Sequence, residues 1–392
     1  MRLADRLDHI APFYVMECAK AAAELARGPL CDPAQGGRPM ILLNIGEPDF
    51  TASAPVLAAA ERCLKQGQTQ YTHATGLPAL RSAIAQWYAD RFGLNIAPER
   101  IVVTAGASAA LHLACLALLQ TGDEVLMPDP SYPCNRHFVA ATGATARAIP
   151  AGPEQRFQLS VADVEAAWTA NTRGVLLATP SNPTGTSIPA AQMRGIVEAV
   201  RARQGFCIVD EIYLGLSYDD AFSDSALRLG DDVISVNSFS KYFSMTGWRL
   251  GWLVLPPALV APIEKLAQNL FICPSTLAQH AALACFDPAS ITEYERRRQA
   301  FKDRRDFVVP ALNELGLRVP VMPDGAFYAW ADCSAHTSSS WDLCFDLMRR
   351  AQVALTPGRD FSQTDGERFV RLSFASSMAN LEEAIARLRA AL

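Results

Sequence analysis

Short apolar runs rich in Val, Ile and Leu recur along the middle of this chain, at residues 101–104, 125–127, 175–178, 206–209, 232–236 and 250–255. Each is too short for a helix and is bounded by turn-forming residues, which is how a buried strand reads. Between several of them lie stretches of helical spacing, at 109–119, 162–170 and 189–204. Regular alternation of strand and helix narrows the architecture to an α/β fold, a mostly parallel sheet with helices against it. At 392 residues and 50% hydrophobic composition, the chain is long enough for a sizeable core divided between two domains.

The segment joining the last two runs carries the chemistry. It reads Ser-Phe-Ser-Lys-Tyr-Phe-Ser-Met-Thr-Gly-Trp-Arg-Leu-Gly-Trp from 238 to 252, so Lys241 falls on a turn between two buried strands. Desolvated beside other cations, a lysine amine is neutral near physiological pH and condenses with carbonyls. Ser238, Ser240 and Arg249 could bind a phosphate, the arginine through two parallel charge-assisted bonds. A carbonyl-reactive lysine beside a phosphate cradle points to pyridoxal phosphate. The plain alternative is a surface lysine with Arg249 in a structural ion pair.

Other classes are set aside by what the chain lacks. A net charge of -5 gives no basic footprint for nucleic acid or an anionic membrane surface, so small molecules or a second copy are the expected partners. The ten cysteines form no Cys-x-x-Cys pair and no Cys/His cluster at metal spacing, which argues against a disulfide framework or a metal site and for a reducing cytoplasm. The first residues are charged (Arg2, Asp5, Arg6, Asp8) and offer no apolar run for a secretory signal. The longest mostly apolar run, 105–119, is too short to span a bilayer.

Ser-x-Ser-Lys at 238–241, followed by Met-Thr-Gly-Trp-Arg-Leu-Gly at 245–251, resembles the cofactor-lysine signature of the class I and II aminotransferases, within the aspartate-aminotransferase-like (fold type I) pyridoxal-phosphate enzymes. Further motifs fall in the same order, from Gly46 to Arg371. The resemblance implies a large cofactor-binding domain at 51–290 and a smaller α+β domain at 291–392, with 1–50 as an arm that joins the smaller domain.

It also implies roles for individual residues. In Gly-Glu-Pro-Asp-Phe at 46–50, Gly46 presents its backbone to the substrate carboxylate. Tyr71, in Tyr-x-x-x-x-Gly at 71–76, supplies its hydroxyl to the cofactor phosphate of a neighbouring subunit, which makes the protein a homodimer with shared sites. Ala107 and Ser108 follow the strand at 101–104, where a helix N-terminus favours a phosphate. Tyr132 stacks on the pyridine ring, although a tyrosine packed under a loop is the simpler reading. Asn182, in Ser-Asn-Pro-Thr-Gly at 181–185, donates to the cofactor's phenolic oxygen beside Tyr213 and also meets the substrate; as sequence alone this is a good turn. Asp210 ends a buried strand and pairs with the ring nitrogen, while Glu211 is turned away by strand alternation. Arg371 sits in the apolar run 369–374, where a buried arginine requires an anion: the substrate α-carboxylate, with a structural salt bridge ranked second.

Helices are expected at 14–26 and 78–92, a strand at 41–45 and another in Gly-Ala-Phe-Tyr-Ala-Trp at 325–330, and a loop or helix entry at 334–340. A charged helix at 291–315, with Arg297 and Arg304 on what reads as a solvated face, links the two domains. The activity implied is ping-pong transfer of an amino group between an L-amino acid and a 2-oxo acid. A carbon–sulfur β-lyase on the same fold is second, and a non-enzymatic cofactor-sensing domain third, since no basic recognition helix precedes the first motif. Residues 269–276 contain no arginine, the residue some dicarboxylate-specific members use from the partner subunit, which leaves an apolar or aromatic donor open.

Overall fold

A computed structural model describes residues 2–4, 7–8 and 10–392. Asp5 and Arg6, read as part of the charged N-terminus, lie outside the described residues. Helix α1 (Tyr14–Ala26) leads to strand β1 (Ile41–Leu42), then α2 (Ala54–Lys65) and α3 (Pro78–Phe92). Alternation follows: β2 (Ile101–Thr104), α4 (Gly106–Leu118), β3 (Glu124–Asp129), α5 (Pro133–Ala140), β4 (Thr145–Pro150), α6 (Val161–Ala167), β5 (Thr172–Ala178), α7 (Ala190–Arg201) and β6 (Phe206–Asp210). Next come β7 (Val233–Ser238), β8 (Gly251–Val254), α8 (Pro257–Leu270), α9 (Thr276–Ala282) and α10 (Pro288–Glu314). The chain closes with β9 (Tyr328–Asp332), α11 (Ser340–Arg350), β10 (Val353–Ala354), β11 (Thr356–Pro357), β12 (Phe369–Ser373) and α12 (Met378–Ala391).

Strands β2 to β8 form one seven-stranded sheet in the order β2-β8-β7-β6-β5-β3-β4. It is parallel except for β8, which runs against both of its neighbours. This is the expected mostly parallel sheet. Its two faces are covered differently, and the strands show it by alternation. On β5 to β7, Leu176, Ile208, Ile234 and Val236 pack toward α4 and α8, with Ala110, Leu113 and Ile263. Val175, Leu177, Val209 and Val233 pack the opposite way, with Val164, Ile196 and Val200 of α6 and α7. Burial on both faces explains why these strands read as continuous apolar runs.

The N- and C-terminal segments meet in a smaller α+β unit. There β1 pairs in parallel with β10, and β11, β12 and β9 form an antiparallel sheet. The run at 41–45 pairs only over Ile41–Leu42, because the chain turns into the 46–51 segment. Helix α4 begins at Gly106 rather than at 109, since a φ of +81° at this glycine swings the chain straight out of β2. Helix α6 stops at Ala167, where Trp168 turns extended. Strand β9 starts at Tyr328 after a bend at Ala326, which has a φ of +58°. Ser339 caps α11 by accepting from the Asp342 N–H at 3.2 Å, so the Ser/Thr-rich stretch is a helix entry.

The charged helix requires a correction. Arg304 on α10 forks onto both carboxylate oxygens of Asp49, at 2.7 and 2.9 Å, and Arg297 donates to the Thr51 carbonyl at 2.6 Å. Both arginines are buried. Charge spacing identifies a polar face but not the neighbour that will cover it, and here the 46–51 turn does. The four aromatic and aliphatic positions expected to anchor α3 (Leu80, Ile84, Trp87, Tyr88) are buried as read, and the Trp252 indole N–H donates to the Tyr88 hydroxyl at 3.2 Å.

Candidate active site

The carboxyl ends of β5, β6 and β7 and the first turn of α4 surround a cavity of about 300 Å3. Strand parity decides what enters it. Asp210 continues the Ile208 face of β6 and Ser238 continues the Val236 face of β7, so both project toward the α4 side. Glu211 projects the other way, fully buried, accepting from the Ser225 and Ser235 hydroxyls at 2.9 and 2.6 Å and the Ala226 N–H at 2.7 Å.

Lys241 lies in the loop between β7 and β8, and its Nζ donates to the Gly46 carbonyl at 2.6 Å. The amine is pushed down from the ordinary lysine value to about 8, chiefly by burial and then by the Arg371 cation; Arg249 adds to this, and Glu47 and Asp210 oppose it. A Cβ on Gly46 would collide with the Tyr328 hydroxyl, so only glycine lets this turn approach.

At one end of the cavity, Ala107 and Ser108 in the first turn of α4 face Ser238, Ser240 and Arg249. Arg249 takes a left-handed backbone, φ +52°, with Nη1 donating to the Thr246 carbonyl at 3.0 Å. A helix N-terminus, two hydroxyls and a guanidinium form a cradle for a dianionic phosphate. At the other end, Asp210 is buried; among the described residues its carboxylate accepts one hydrogen bond, from the Ile212 N–H at 3.2 Å. Among the described residues no cation pairs with it, and burial pushes its carboxyl up to about 7. A buried carboxylate without a counter-ion fits a ligand that brings its own protonated nitrogen.

Between these ends Tyr132 offers an aromatic face, edge-on to Phe13 at 6.3 Å. The Tyr213 hydroxyl meets the Tyr328 hydroxyl at 2.7 Å. Arg371 is buried and donates to Asn182 Oδ1 and the Asn44 carbonyl, each at 2.8 Å, under the rings of Tyr328 and Phe361. Its Nε has no partner and no carboxylate pairs with it among the described residues, so the ranked alternative of a structural salt bridge is absent there. Because a guanidinium only donates, the Asn182 amide oxygen must face it; the amide nitrogen keeps no bond within the described residues and can donate elsewhere. A phosphate cradle, an unpaired buried carboxylate and a depressed lysine amine together fit pyridoxal phosphate.

Of the residues singled out from sequence, Gly46, Ala107, Ser108, Tyr132, Asn182, Asp210, Tyr213, Ser238, Ser240, Lys241, Arg249 and Arg371 all line this one cavity. Tyr71 does not. It is 80% exposed and lies in a separate surface groove with Gln68 and His280. Sequence reading gave no role to Tyr328, Glu47 or the arm residues Phe13, Val15 and Met16, which also line the cavity. Tyr328 belongs to the glycine-aromatic segment 325–330, two residues after the bend at Ala326, and could have been found there; the arm carries no motif.

Comparison with known proteins agrees with the geometry. The family description "Aminotransferase class I and II" matches residues 38–388. A valine–pyruvate aminotransferase of Mycobacterium tuberculosis is 40% identical, over 97% of this chain and 96% of its own. An aspartate aminotransferase of Thermotoga maritima is 35% identical, over 90% and 91%. The crystal structure of an aminotransferase from Mycobacterium tuberculosis superposes with a TM-score of 0.94 at 39% identity, covering 100% of this chain and 98% of that one. These relatives favour transamination over the lyase and sensor readings. The chain therefore belongs to the class I and II aminotransferases, as a fold type I enzyme that uses pyridoxal phosphate to move an amino group between an amino acid and a 2-oxo acid.

Proposed function

We propose that the amino donor is a small aliphatic L-amino acid and the acceptor a monocarboxylic 2-oxo acid such as pyruvate. The observation that carries this reading is the supply of cations. Among the described residues the cavity holds Lys241, Arg249 and Arg371. Arg249 stands at the phosphate end and Arg371 suits the α-carboxylate, so a second substrate carboxylate meets no further arginine of the same chain among the described residues, and residues 269–276, which a partner copy would bring, contain none. It meets Phe13, Val15 and Ile45 instead. The similarity to a valine–pyruvate aminotransferase supports the same substrate class.

Bound pyridoxal phosphate supplies the electron sink that makes the substrate's α-proton removable. The chain's own groups do the rest. Arg371 would hold the α-carboxylate and so orient the α-carbon. Asp210 would keep the ring nitrogen protonated, and the Asn182 amide and Tyr213 hydroxyl would donate to the phenolic oxygen. Ala107, Ser108, Ser238, Ser240 and Arg249 would hold the phosphate. The Lys241 amine, pushed down to about 8 and so partly neutral near pH 7, would take the proton from the substrate α-carbon and hold it for return. A donor panel with pyruvate as acceptor tests the substrate class. Valine and similar donors should exceed aspartate in kcat/KM by tenfold or more (roughly, from one well-filled apolar contact); an aspartate preference would overturn the reading.

We also propose a homodimer in which Tyr71 completes the partner subunit's site. Its exposure outside its own cavity supports this. Mixing inactive Lys241→Ala with impaired Tyr71→Ala should give activity above either parent, because one site of each mixed dimer then has both groups; no gain would count against shared sites. A cytoplasmic location is proposed from the ten free cysteines, most of them buried, which suit a reducing compartment; cell fractionation checks it. No helix among the described residues is long and apolar enough to cross a membrane.

A further inference from the structure

Helix α1 begins without a cap of its own. Phe13 stands at its N-cap position and has no side-chain acceptor, so the first backbone N–H groups need an oxygen from elsewhere. That oxygen comes from far along the chain. The Tyr14 N–H donates to Asp360 Oδ1 at 3.0 Å and the Val15 N–H to Asp360 Oδ2. Asp360 is completely buried on the short turn Gly358–Asp360, and among the described residues these two N–H groups are the hydrogen-bond partners of its carboxylate. No ion pair involves it among the described residues. The Arg136 and Arg371 cations stand within electrostatic reach and favour its charged form, while its hydrogen bonds go to the helix N-terminus and tie the two segments together, with the helix dipole adding to the hold.

The tied turn faces the cavity. Phe13, Val15 and Met16 line the cavity, and Val15 packs with Phe361, Trp330 and Phe369 of the small unit. The Asp360 turn links β11 to β12, and β12 carries Arg371. One small sheet therefore holds both the arginine suited to the substrate's α-carboxylate and the carboxylate that stations the arm. Arg359 adds a second attachment, stacking over Trp341 at 4.5 Å and reaching the Tyr14 ring at 5.9 Å.

We propose that Asp360 is a positioning residue that pins the first turn of α1 against the cavity, so that Phe13 and Val15 form the wall against which the donor's aliphatic side chain is recognised. This rests on the aliphatic-donor reading. The wall's distance from the α-carboxylate site is then fixed by the small sheet and not by the closing of a loop. Asp360 touches neither substrate nor cofactor; it acts through the arm.

The holoenzymes of Asp360→Ala, Asp360→Asn, Phe13→Ala and the double variant Asp360→Ala/Phe13→Ala test this, with valine and alanine as donors and the cofactor's absorption spectrum recorded for each. Asp360→Ala should raise KM for valine by roughly ten- to a hundredfold, the discrimination one aliphatic contact provides. For alanine, which barely reaches the wall, KM should stay within about threefold of wild type, and the spectrum should be unchanged. Asp360→Asn keeps one acceptor oxygen and should fall between. Phe13→Ala alone should reproduce the selective loss, and added to Asp360→Ala it should cost little more, because both remove the same wall. Equal losses for both donors, additive effects in the double variant, or disturbed cofactor absorption in the folded Asn variant would overturn the proposal. If wild type instead prefers aspartate, the donor reading fails by itself; non-additivity measured on that donor would still support Asp360 as the arm's anchor, and additivity would still refute it.

Discussion

Lys241→Ala is expected to lower kcat by about four orders of magnitude or more, the combined loss of a positioned base and a carbonyl-reactive amine. The cavity should survive the change. Among the described residues the Lys241 amine gives one hydrogen bond, to the Gly46 carbonyl, and Ala107, Ser108, Ser238 and Asp210 stand on other elements. Pyridoxal phosphate should therefore still bind, more weakly, and a small primary amine added to the assay should restore part of the rate by entering the space the side chain leaves. Steady-state turnover with and without the added amine reads both effects. Residual turnover near wild type would mean another group moves the proton.

Arg371→Leu should have the next largest effect, of a different kind. Truncating a buried hydrogen-bonded charge costs about 2–5 kcal/mol in binding its partner. The loss should fall on kcat/KM for every donor and for the 2-oxo acid acceptor alike, since all carry the same carboxylate. The cofactor should stay bound, because Arg371 stands outside the phosphate cradle of Ala107, Ser108, Ser238, Ser240 and Arg249. Arg371→Lys should recover little, as an ammonium cannot reproduce the fork to Asn182 and the Asn44 carbonyl. The uniform loss here and the donor-selective loss expected for Asp360→Ala make the two positions separable in one set of assays. An Arg371→Leu enzyme with unchanged KM values would show that the α-carboxylate is held elsewhere.

Much of this site was legible in the sequence because its residues sit where strands end. Asp210, Ser238 and Asn182 follow buried runs whose length and composition mark them, and strand alternation correctly separated Asp210 from Glu211. Twelve of the residues that line the cavity were found through motifs that are local in sequence. What stayed hidden depends on contacts between distant segments. Nothing near Asp360 announces that it will cap a helix some 345 residues earlier. Nor does the spacing of charges on α10 reveal that Arg304 will close on Asp49. Tyr71 shows a further boundary: one chain fixes its exposure but not what meets it.

The antiparallel strand β8 bears on how the enzyme moves. Ser238 and Gly251 face each other across the β7–β8 pair, so the loop that carries Lys241 leaves and re-enters the sheet at adjacent points. Both its feet are stapled into the buried core, with Phe239, Phe243 and Met245 packed beneath. Backbone excursions of that loop would pull those side chains out of the interior. The lysine's travel between its resting contact and the reacting carbon is thus confined to rotation along its own aliphatic stem, a swing of a tethered arm over fixed ground.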